Sequence, residues 1–448
     1  MTAPVHRAHW TDRERQVDVL IVGGGPSGLA ASLALRSAGV QVALIERERS
    51  LGGIPRHSRH TGYGLRDLHR VMSGPRYAAR YAALAERAGV EIHLTTTATD
   101  WSAEGQLITT SPAGVVHWAA KAVLLATGCR ERPRSARLVP GDRPAGVLTT
   151  GTLQQLADLF HLPIGERAVV VGAEHVSFSA VHTLRAHGVS VAAVVTDFPH
   201  HQTYGLLKAL TAGWHLDAPA WLPTPLCHAV LRTTSDRHRT VLYTETEVVG
   251  IVGKERVAAV ELQNLTTRAQ WSVECDTVVF TGSWIPDDEL ARRRPLVMAG
   301  PVPRVDQSLR TSRRGAFASG NLVHPAETAD IAALGGRRAA RSIVRYLHDG
   351  TWPDAGVELE PGGPFVWVHP SRWSIADEPP TRGRLLTRTS RFCGPGAIEV
   401  VQGGRVLHRE HRRGLVPNRS ISLPAAALDG LDPAGGPVRL EWQDQQDK

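Results

Sequence analysis

Three glycines spaced G-x-G-x-x-G, Gly23, Gly25 and Gly28, are the first residues of the chain with an evident chemical use. In that spacing a backbone turn lets a pyrophosphate approach, and the N–H groups opening the next helix favour the anion. Glu46 follows at the distance from which a carboxylate accepts from a ribose hydroxyl. A second turn, VVGAEHVS (170–177), has Gly172 in place, but Glu174 stands where a glycine normally admits the phosphate. At ~4 Å and an effective dielectric near 20, a carboxylate repels a phosphate by about 4 kcal/mol per charge pair, roughly a thousandfold in affinity. Two arrangements would relieve this: Glu174 turned into solvent, or paired with a nearby arginine such as Arg167 or Arg185. Asp197, at the end of the following strand, can accept from an unphosphorylated ribose and disfavours a 2′-phosphate.

Other reactive side chains are read more plainly. Cys129, Cys227, Cys275 and Cys393 are far apart and form no CxxC pair. That excludes a local redox dithiol and a cysteine-ligated iron–sulfur motif within these residues. His200 and His201 read as a solvated loop pair, and His408 and His411 as surface in an arginine-rich run. No metal site is expected. The net charge of +8 comes from scattered arginines, with lysine only at 121, 208, 254 and 448. No nucleic-acid motif accompanies them, so no nucleic-acid partner is expected. No stretch approaches the roughly 18 consecutive apolar residues of a membrane span. The opening MTAPVHRAHWTDRERQ reads as a polar tail without a signal-peptide core, from which a cytoplasmic location is expected.

The elements that must position these residues repeat. VDVLIV is a buried strand, Pro26 suits a helix start, Gly39 ends the helix, and VQVALIE is a second strand closed by Glu46. RYAARYAALAERAG is an amphipathic helix, followed by VEIHLTT, a hairpin-rich run and a strand ending ATG at 126–128. From residue 168 the plan recurs: AVVVGAEHVS, a helix to Gly188, VSVAAVVTD, a meander over VVGIVGKERVAAVELQN, and WSVECDTVVFTG. The chain returns with AFASGN and a helix over ADIAALGGRRAARSIVRYLHDG. Beyond about 355, short alternating segments between turn residues predict a small antiparallel β-domain.

Together, GLRDLHRVMSGPRYA, LLATGCRERPRSARLVPGDRPAGVLTTGTLQQL, VVGAEHVS and FASGNLVHPAETADIAALGGR resemble the pyridine-nucleotide–disulfide oxidoreductase-like superfamily of FAD proteins. Within it the likeness is to the FAD subunits of hydrogen cyanide synthase, opine oxidase and dye-linked L-proline dehydrogenase. The resemblance implies an α/β fold with two Rossmann-like dinucleotide-binding domains carrying β-meanders. The FAD domain (17–140 and 293–352) would be discontinuous, with an NAD(P)-like domain (141–292) inserted in it; the resemblance covers roughly 17–350, and the small β-domain (355–448) read from its alternating segments lies beyond it. The resemblance further implies that Gly23, Gly25, Pro26, Ser27 and Gly28 hold the FAD pyrophosphate. Glu46 and Arg47 would serve the adenosine ribose, and Gly52 and Gly53 would run along the cofactor. Thr127 and Gly128 would close on it. Gly320 and Asn321 match a Gly-Asp pair, with Asn321 a departure that keeps an acceptor. Ala329 and Asp330 fall where backbone N–H groups face the flavin pyrimidine ring. Gly172, Glu174 and Asp197 mark the second nucleotide site, where NAD(H) would bind weakly. His57, His60, His324 and Glu327 belong to motifs that would line the flavin. His324 suits a proton acceptor and equally a hydrogen bond to a flavin carbonyl.

Three functions are compatible with this reading. One is the FAD-binding part of a dehydrogenase or oxidase that acts on a small amine, amino acid or similar substrate. It would exchange electrons with a small iron–sulfur protein and a second oxidoreductase subunit. Another is a self-contained NAD(P)H-dependent flavin reductase or oxidase. The third is a non-catalytic nucleotide-binding scaffold.

Overall fold

The computed structural model describes residues 12–202, 240–352 and 356–445. The first part runs β1 (Asp12–Val22), α1 (Pro26–Ser37), β2 (Val42–Ile45), α2 (Gly74–Arg87), β3 (Glu91–His93), β4 (Thr97–Trp101), β5 (Leu107–Ser111) and β6 (Gly114–Leu125). Its strands lie in the order β3-β2-β1-β6-β5-β4. β1 is parallel to β2 and β6, and β6-β5-β4 is the antiparallel meander. The apolar run Val19–Val22 is buried on both faces, as a central parallel strand requires. The expected polar tail is corrected here. From Asp12 the chain is strand, paired in register Asp12↔Val115 to Gln16↔Ala119. The long β6 offers backbone groups to pair, and exposed charged side chains do not prevent it.

A second unit follows: β7 (Cys129–Glu131), β8 (Val147–Thr149), α3 (Thr150–Gln154), β9 (Arg167–Val171), α4 (His175–Ala186), β10 (Ser190–Val195) and β11 (Val241–Tyr243). The meander β12 (Thr246–Gly253), β13 (Val257–Asn264), β14 (Gln270–Glu274) comes next, then β15 (Thr277–Phe280) and β16 (Trp284–Pro286). The parallel sheet has the order β8-β15-β9-β10-β11. β16 pairs back on β7, crossing just beyond the ATG strand end.

The chain then rejoins the first sheet through β17 (Ala316–Ala318), parallel to β6, and α5 (Ala329–Asp349). Residues on both sides of the second unit, from Leu20 to Phe317 and Ile343, share one hydrophobic core. α5 lies directly on α1: a Cβ on Gly336 would stand 2.0 Å from the Ser27 carbonyl oxygen, so only glycine permits this approach.

The last unit contains β18 (Val357–Pro361), β19 (Phe365–His369), β20 (Arg372–Trp373), β21 (Arg384–Thr389), β22 (Gly396–Gln402), β23 (Arg405–Arg412), β24 (Ile421–Pro424) and β25 (Val438–Asp444). Two sheets, β20-β18-β25-β22-β23 and β19-β21-β24, enclose a core of their own that includes Ile398, Leu440 and Trp442. The expectation of a purely antiparallel unit is corrected at one pairing, since β18 runs parallel to β25. The unit is fastened to the FAD-type domain. Arg310, 5% exposed, lies between Asp306 at 2.7 Å and Asp377. Gln307 accepts from the Ser374 N–H at 2.9 Å.

Candidate flavin site and second turn

The first turn is an open cradle. Gly23 has φ +110°, and a Cβ there would strike the Ala126 carbonyl oxygen at 2.4 Å. A Cβ on Gly28 would meet the Gly23 carbonyl oxygen at 1.9 Å, so α1 sits hard against the turn. Gly25 is the N-cap of α1 and Pro26 its first residue; no side chain caps the helix. The open N–H groups of a helix start are a ready anion site. A Cβ on Gly25 would find nothing within 4 Å. That space suits a pyrophosphate.

The other expected cofactor residues gather around this end of the sheet. Glu46 is buried, and Oε2 accepts from Gly24 N–H while Oε1 accepts from Glu48 N–H, both at 2.8 Å. Gly52 N–H donates to the Gly24 carbonyl at 2.8 Å, and a Cβ on Gly53 would lie 3.0 Å from Gly25 Cα. Ser27 Oγ donates to Ser319 Oγ at 3.0 Å, and Gly320 packs on Ser27. Thr127 Oγ1 donates to the Asp287 carbonyl at 2.7 Å, beside an uncrowded Gly128. Arg47 is exposed and pairs with Asp287 at 3.4 Å. Ala329 and Asp330 open α5, and the buried Asp330 accepts from Arg66 at 2.9 Å.

Asn321, the expected acceptor beside Gly320, is held by its own loop. Its Oδ1 accepts from Glu327 N–H at 3.1 Å and its Nδ2 donates to the Glu327 carbonyl at 3.0 Å. Both ends of the amide therefore brace the 321–327 loop. In that loop Ala326 has φ +65°, a conformation a non-glycine residue rarely adopts.

The four candidate proton-transfer residues fall into two groups. His57 is buried, with Nδ1 3.4 Å from Gln154 Oε1, and desolvation pushes its pKa down to about 4. Gln154 in turn donates to Ser179 Oγ at 3.0 Å, so His57 faces the second unit. His60, its neighbour, has Nδ1 2.9 Å from the Thr61 carbonyl, and burial lowers its pKa. His324 and Glu327 face the C-terminal unit instead. The His324 ring meets His369 edge-on at 4.9 Å between centroids. His324 Nδ1 is buried without a hydrogen-bond partner, and desolvation holds its pKa below 6.5. Glu327 Oε1 accepts from Arg388 Nη2 at 3.2 Å.

The second turn is closed. Glu174 is the N-cap of α4 and 6% exposed. It is joined to Ser177 by a reciprocal capping box, with Glu174 N–H donating to Ser177 Oγ at 3.1 Å. A Cβ on Gly172 would lie 2.9 Å from Glu174 Oε2, and one on Gly282 2.6 Å from Oε1. Burial pushes the carboxyl above its usual range. The solvent-turned arrangement does not apply, and the nearby arginine is Arg137 rather than Arg167 or Arg185. The side chain is turned inward rather than to solvent, Arg167 Nε donates to the Glu274 carbonyl, and Arg185 donates to Thr240. Arg137 is the guanidinium beside it, donating to the carbonyls of Thr281 and Gly282. Asp197 is exposed.

Several residues around these sites carried no sequence signal. Arg388 and His369 come from β21 and β19, ordinary alternating strands. Glu131 sits beside the second turn with Oε2 accepting from Gly151 N–H at 2.7 Å, and burial pushes its pKa up to about 6. Asp67 Oδ2 accepts from Tyr77 at 2.7 Å and Tyr81 at 2.8 Å, beside the start of α5. Its motif, GLRDLHRVMSGPRYA, was legible, but not this contact. Cys129 is a partly buried thiol pushed up to about 11, and Cys129, Cys275 and Cys393 are free; Cys227 lies outside the described residues. Of the described residues, no group of three or more His, Cys, Asp or Glu is placed to hold a metal ion, and no helix is long and apolar enough to cross a membrane.

Residues 17–336 match the family of pyridine nucleotide-disulphide oxidoreductases, and the chain belongs to that family. It is an FAD-dependent oxidoreductase. It is 29% identical over 197 residues to the alpha chain of the sarcosine oxidase of Corynebacterium sp. (strain P-1), covering 40% of this chain and 19% of that one. It is 30% identical over 159 residues to one of the subunits of the opine oxidase of Agrobacterium tumefaciens (strain Ach5), covering 32% and 29%. The match thus spans less than a third of either relative's length. Among solved structures, T. acidophilum thioredoxin reductase is similar over 74% of this chain and 98% of its own, with a TM-score of 0.58 and 19% identity. L-proline dehydrogenase from P. horikoshii is similar over 75% and 57%, with a TM-score of 0.54 and 17% identity. At these identities the likeness concerns the fold.

Proposed function

We propose that this protein is the FAD-binding subunit of a dehydrogenase or oxidase that takes electrons from a small amine or amino-acid-type substrate and delivers them to a partner subunit. The open, uncapped N-terminus of α1 at Gly25 carries the FAD part of this reading. Sarcosine oxidase, opine oxidase and L-proline dehydrogenase, all named for amine-type substrates, support the substrate class. A dithiol reductase is disfavoured by chemistry: the Cys129 thiol is held protonated by burial and has no neighbouring cysteine in sequence.

Gly23 to Gly28 would hold the pyrophosphate, Glu46 the adenosine ribose, and the start of α5 the pyrimidine edge. Bound FAD supplies two-electron acceptance from a carbon–nitrogen substrate. An amine must lose its proton before it gives up electrons readily. A neutral imidazole with an unpartnered nitrogen can take that proton, and His324 Nδ1 is such an atom. The Arg388–Glu327 pair and the Asn321 bracket hold the loop that presents it.

Anaerobic mixing of the FAD-loaded protein, alone and with its partner subunits, with sarcosine, proline and opines is the test. Bleaching of the flavin by one of them, slowed about 10²–10⁴-fold in His324→Ala, is the expected result. No bleaching by any secondary amine in the assembled complex would overturn the substrate class.

A further inference from the structure

Four backbone N–H groups at a helix start lack intrahelical partners, and a bound phosphate uses them. At α4 two of them are already engaged. The Glu174–Ser177 capping box satisfies both, and Ser177 Oγ is also 2.6 Å from Thr281 Oγ1 at the end of β15. The Glu174 carboxylate lies between the turn at Gly172 and the strand end at Gly282, in the space a glycine would leave empty.

The outer side is covered too. The buried Gln202 donates its N–H to the Ala173 carbonyl of the turn at 2.8 Å. Two residues of the C-terminal unit hold Gln202 there. Asn418 Nδ2 donates to Gln202 Oε1 at 2.5 Å, and Arg419 Nε donates to the Gln202 carbonyl at 3.2 Å. Phe392 packs edge-on against Phe198 and His200 next to this contact, with centroids 5.8 Å apart in both cases.

We infer that the second nucleotide turn is an internal socket for the C-terminal unit, filled by Glu174 and covered by Gln202, and that no nicotinamide dinucleotide exchanges electrons with this chain. A dinucleotide would have to displace a buried cap, break the Gln202 contacts and place its phosphates beside a carboxylate. The electrons of the flavin then come from substrate and leave through a partner, with the second unit acting as a strut. This rests on the contacts of the second turn, and the substrate class proposed above can stand or fall without it.

The test uses full-length, FAD-loaded protein. Calorimetric titration with NAD⁺ and ADP-ribose, and anaerobic mixing with NADH and NADPH, should give no binding and no flavin reduction in the wild type. Glu174→Gly should gain dinucleotide affinity by at least about tenfold and up to about a thousandfold, the range set by removing one close charge pair. Glu174→Ser keeps a good helix cap while opening the same space, so it should gain likewise if the glycine variant folds poorly. Glu174→Gln removes the charge but keeps the filling, so it should gain less than either of these variants. Rapid reduction of the wild type by NADH or NADPH overturns the inference while leaving the amine reading intact. So does an absence of gain in both Glu174→Gly and Glu174→Ser variants that retain their FAD.

Discussion

At the first turn a Cβ added to Gly25 meets nothing within 4 Å; at the second, the corresponding space holds the Glu174 carboxylate, 2.9 Å from where a Cβ on Gly172 would stand. Both turns join a buried parallel strand to a 12-residue helix. Both begin with a glycine at positive φ, +110° at Gly23 and +129° at Gly172. The backbone is therefore nearly the same device twice. What differs is who satisfies the helix start. At α1 no side chain does, which leaves the N–H groups to a ligand; at α4 Glu174 and Ser177 do it from within. A helix N-terminus can serve the fold or a phosphate, and one side chain decides which.

The most severe way to break the contrast is to copy the second turn onto the first. Gly25→Glu places a carboxylate in the open cradle, and FAD affinity should fall by about a thousandfold or more, giving colourless protein. The ratio of flavin absorbance to protein after purification measures it. A yellow variant would mean that the cradle is not where the pyrophosphate lies.

The two turns are also tied together, because His57 near the first reaches Gln154 and, through it, Ser179 on α4. With its pKa lowered from 6.5 to about 4, folded His57 binds fewer protons than unfolded. Its contribution is thus fully present above about pH 6.5 and lost as pH falls towards 4, by about 3 kcal/mol in all. Urea midpoints across that range should show the loss, and His57→Gln should flatten it. An unchanged slope in the variant would assign the acid sensitivity elsewhere.

Alanine at equivalent glycines sharpens the comparison. Gly172→Ala strains a φ of +129° and drives a Cβ to 2.0 Å from Thr281 Oγ1, so it should cost about 2 kcal/mol of stability. Gly25→Ala, at φ −81° with open space around it, should melt like the wild type yet hold FAD less tightly. Thermal unfolding with and without FAD separates the two effects. The smallest change is at the cap itself: Glu174→Ala should lower stability by about 1 kcal/mol while FAD content stays unchanged. Loss of FAD in that variant would show that the second turn supports the first site more directly than the contacts indicate.

Much of the architecture was legible because it rests on local chemistry. Gly23, Gly25 and Gly28 specify a tight turn whatever lies around them, and strand–turn–helix periodicity with Glu46 at its spacing marks a nucleotide fold. The duplication, the return of the chain through AFASGN and the change to short strands beyond 355 were equally visible. The strand character of residues 12–16 was not, since it depends on β6 being long enough to pair with them. Nor was the parallel pairing of β18 with β25, residues far apart in sequence.

The candidate site divides the same way. Sequence alone singled out the candidates: the cradle glycines, Glu46, the histidines at 57, 60 and 324, and the anomaly at Glu174. Tertiary structure decided what each one faces. It turned Glu174 inward as a cap rather than outward or onto Arg167 or Arg185. It spent both ends of Asn321 on the Glu327 backbone, separated His57 from His324 at two different interfaces, and brought Arg388, His369 and Gln202 to places no motif marks. The reason is physical. Backbone turns are set by the conformational freedom of a few neighbouring residues, whereas a side chain's burial, partner and protonation depend on atoms delivered by segments hundreds of residues away.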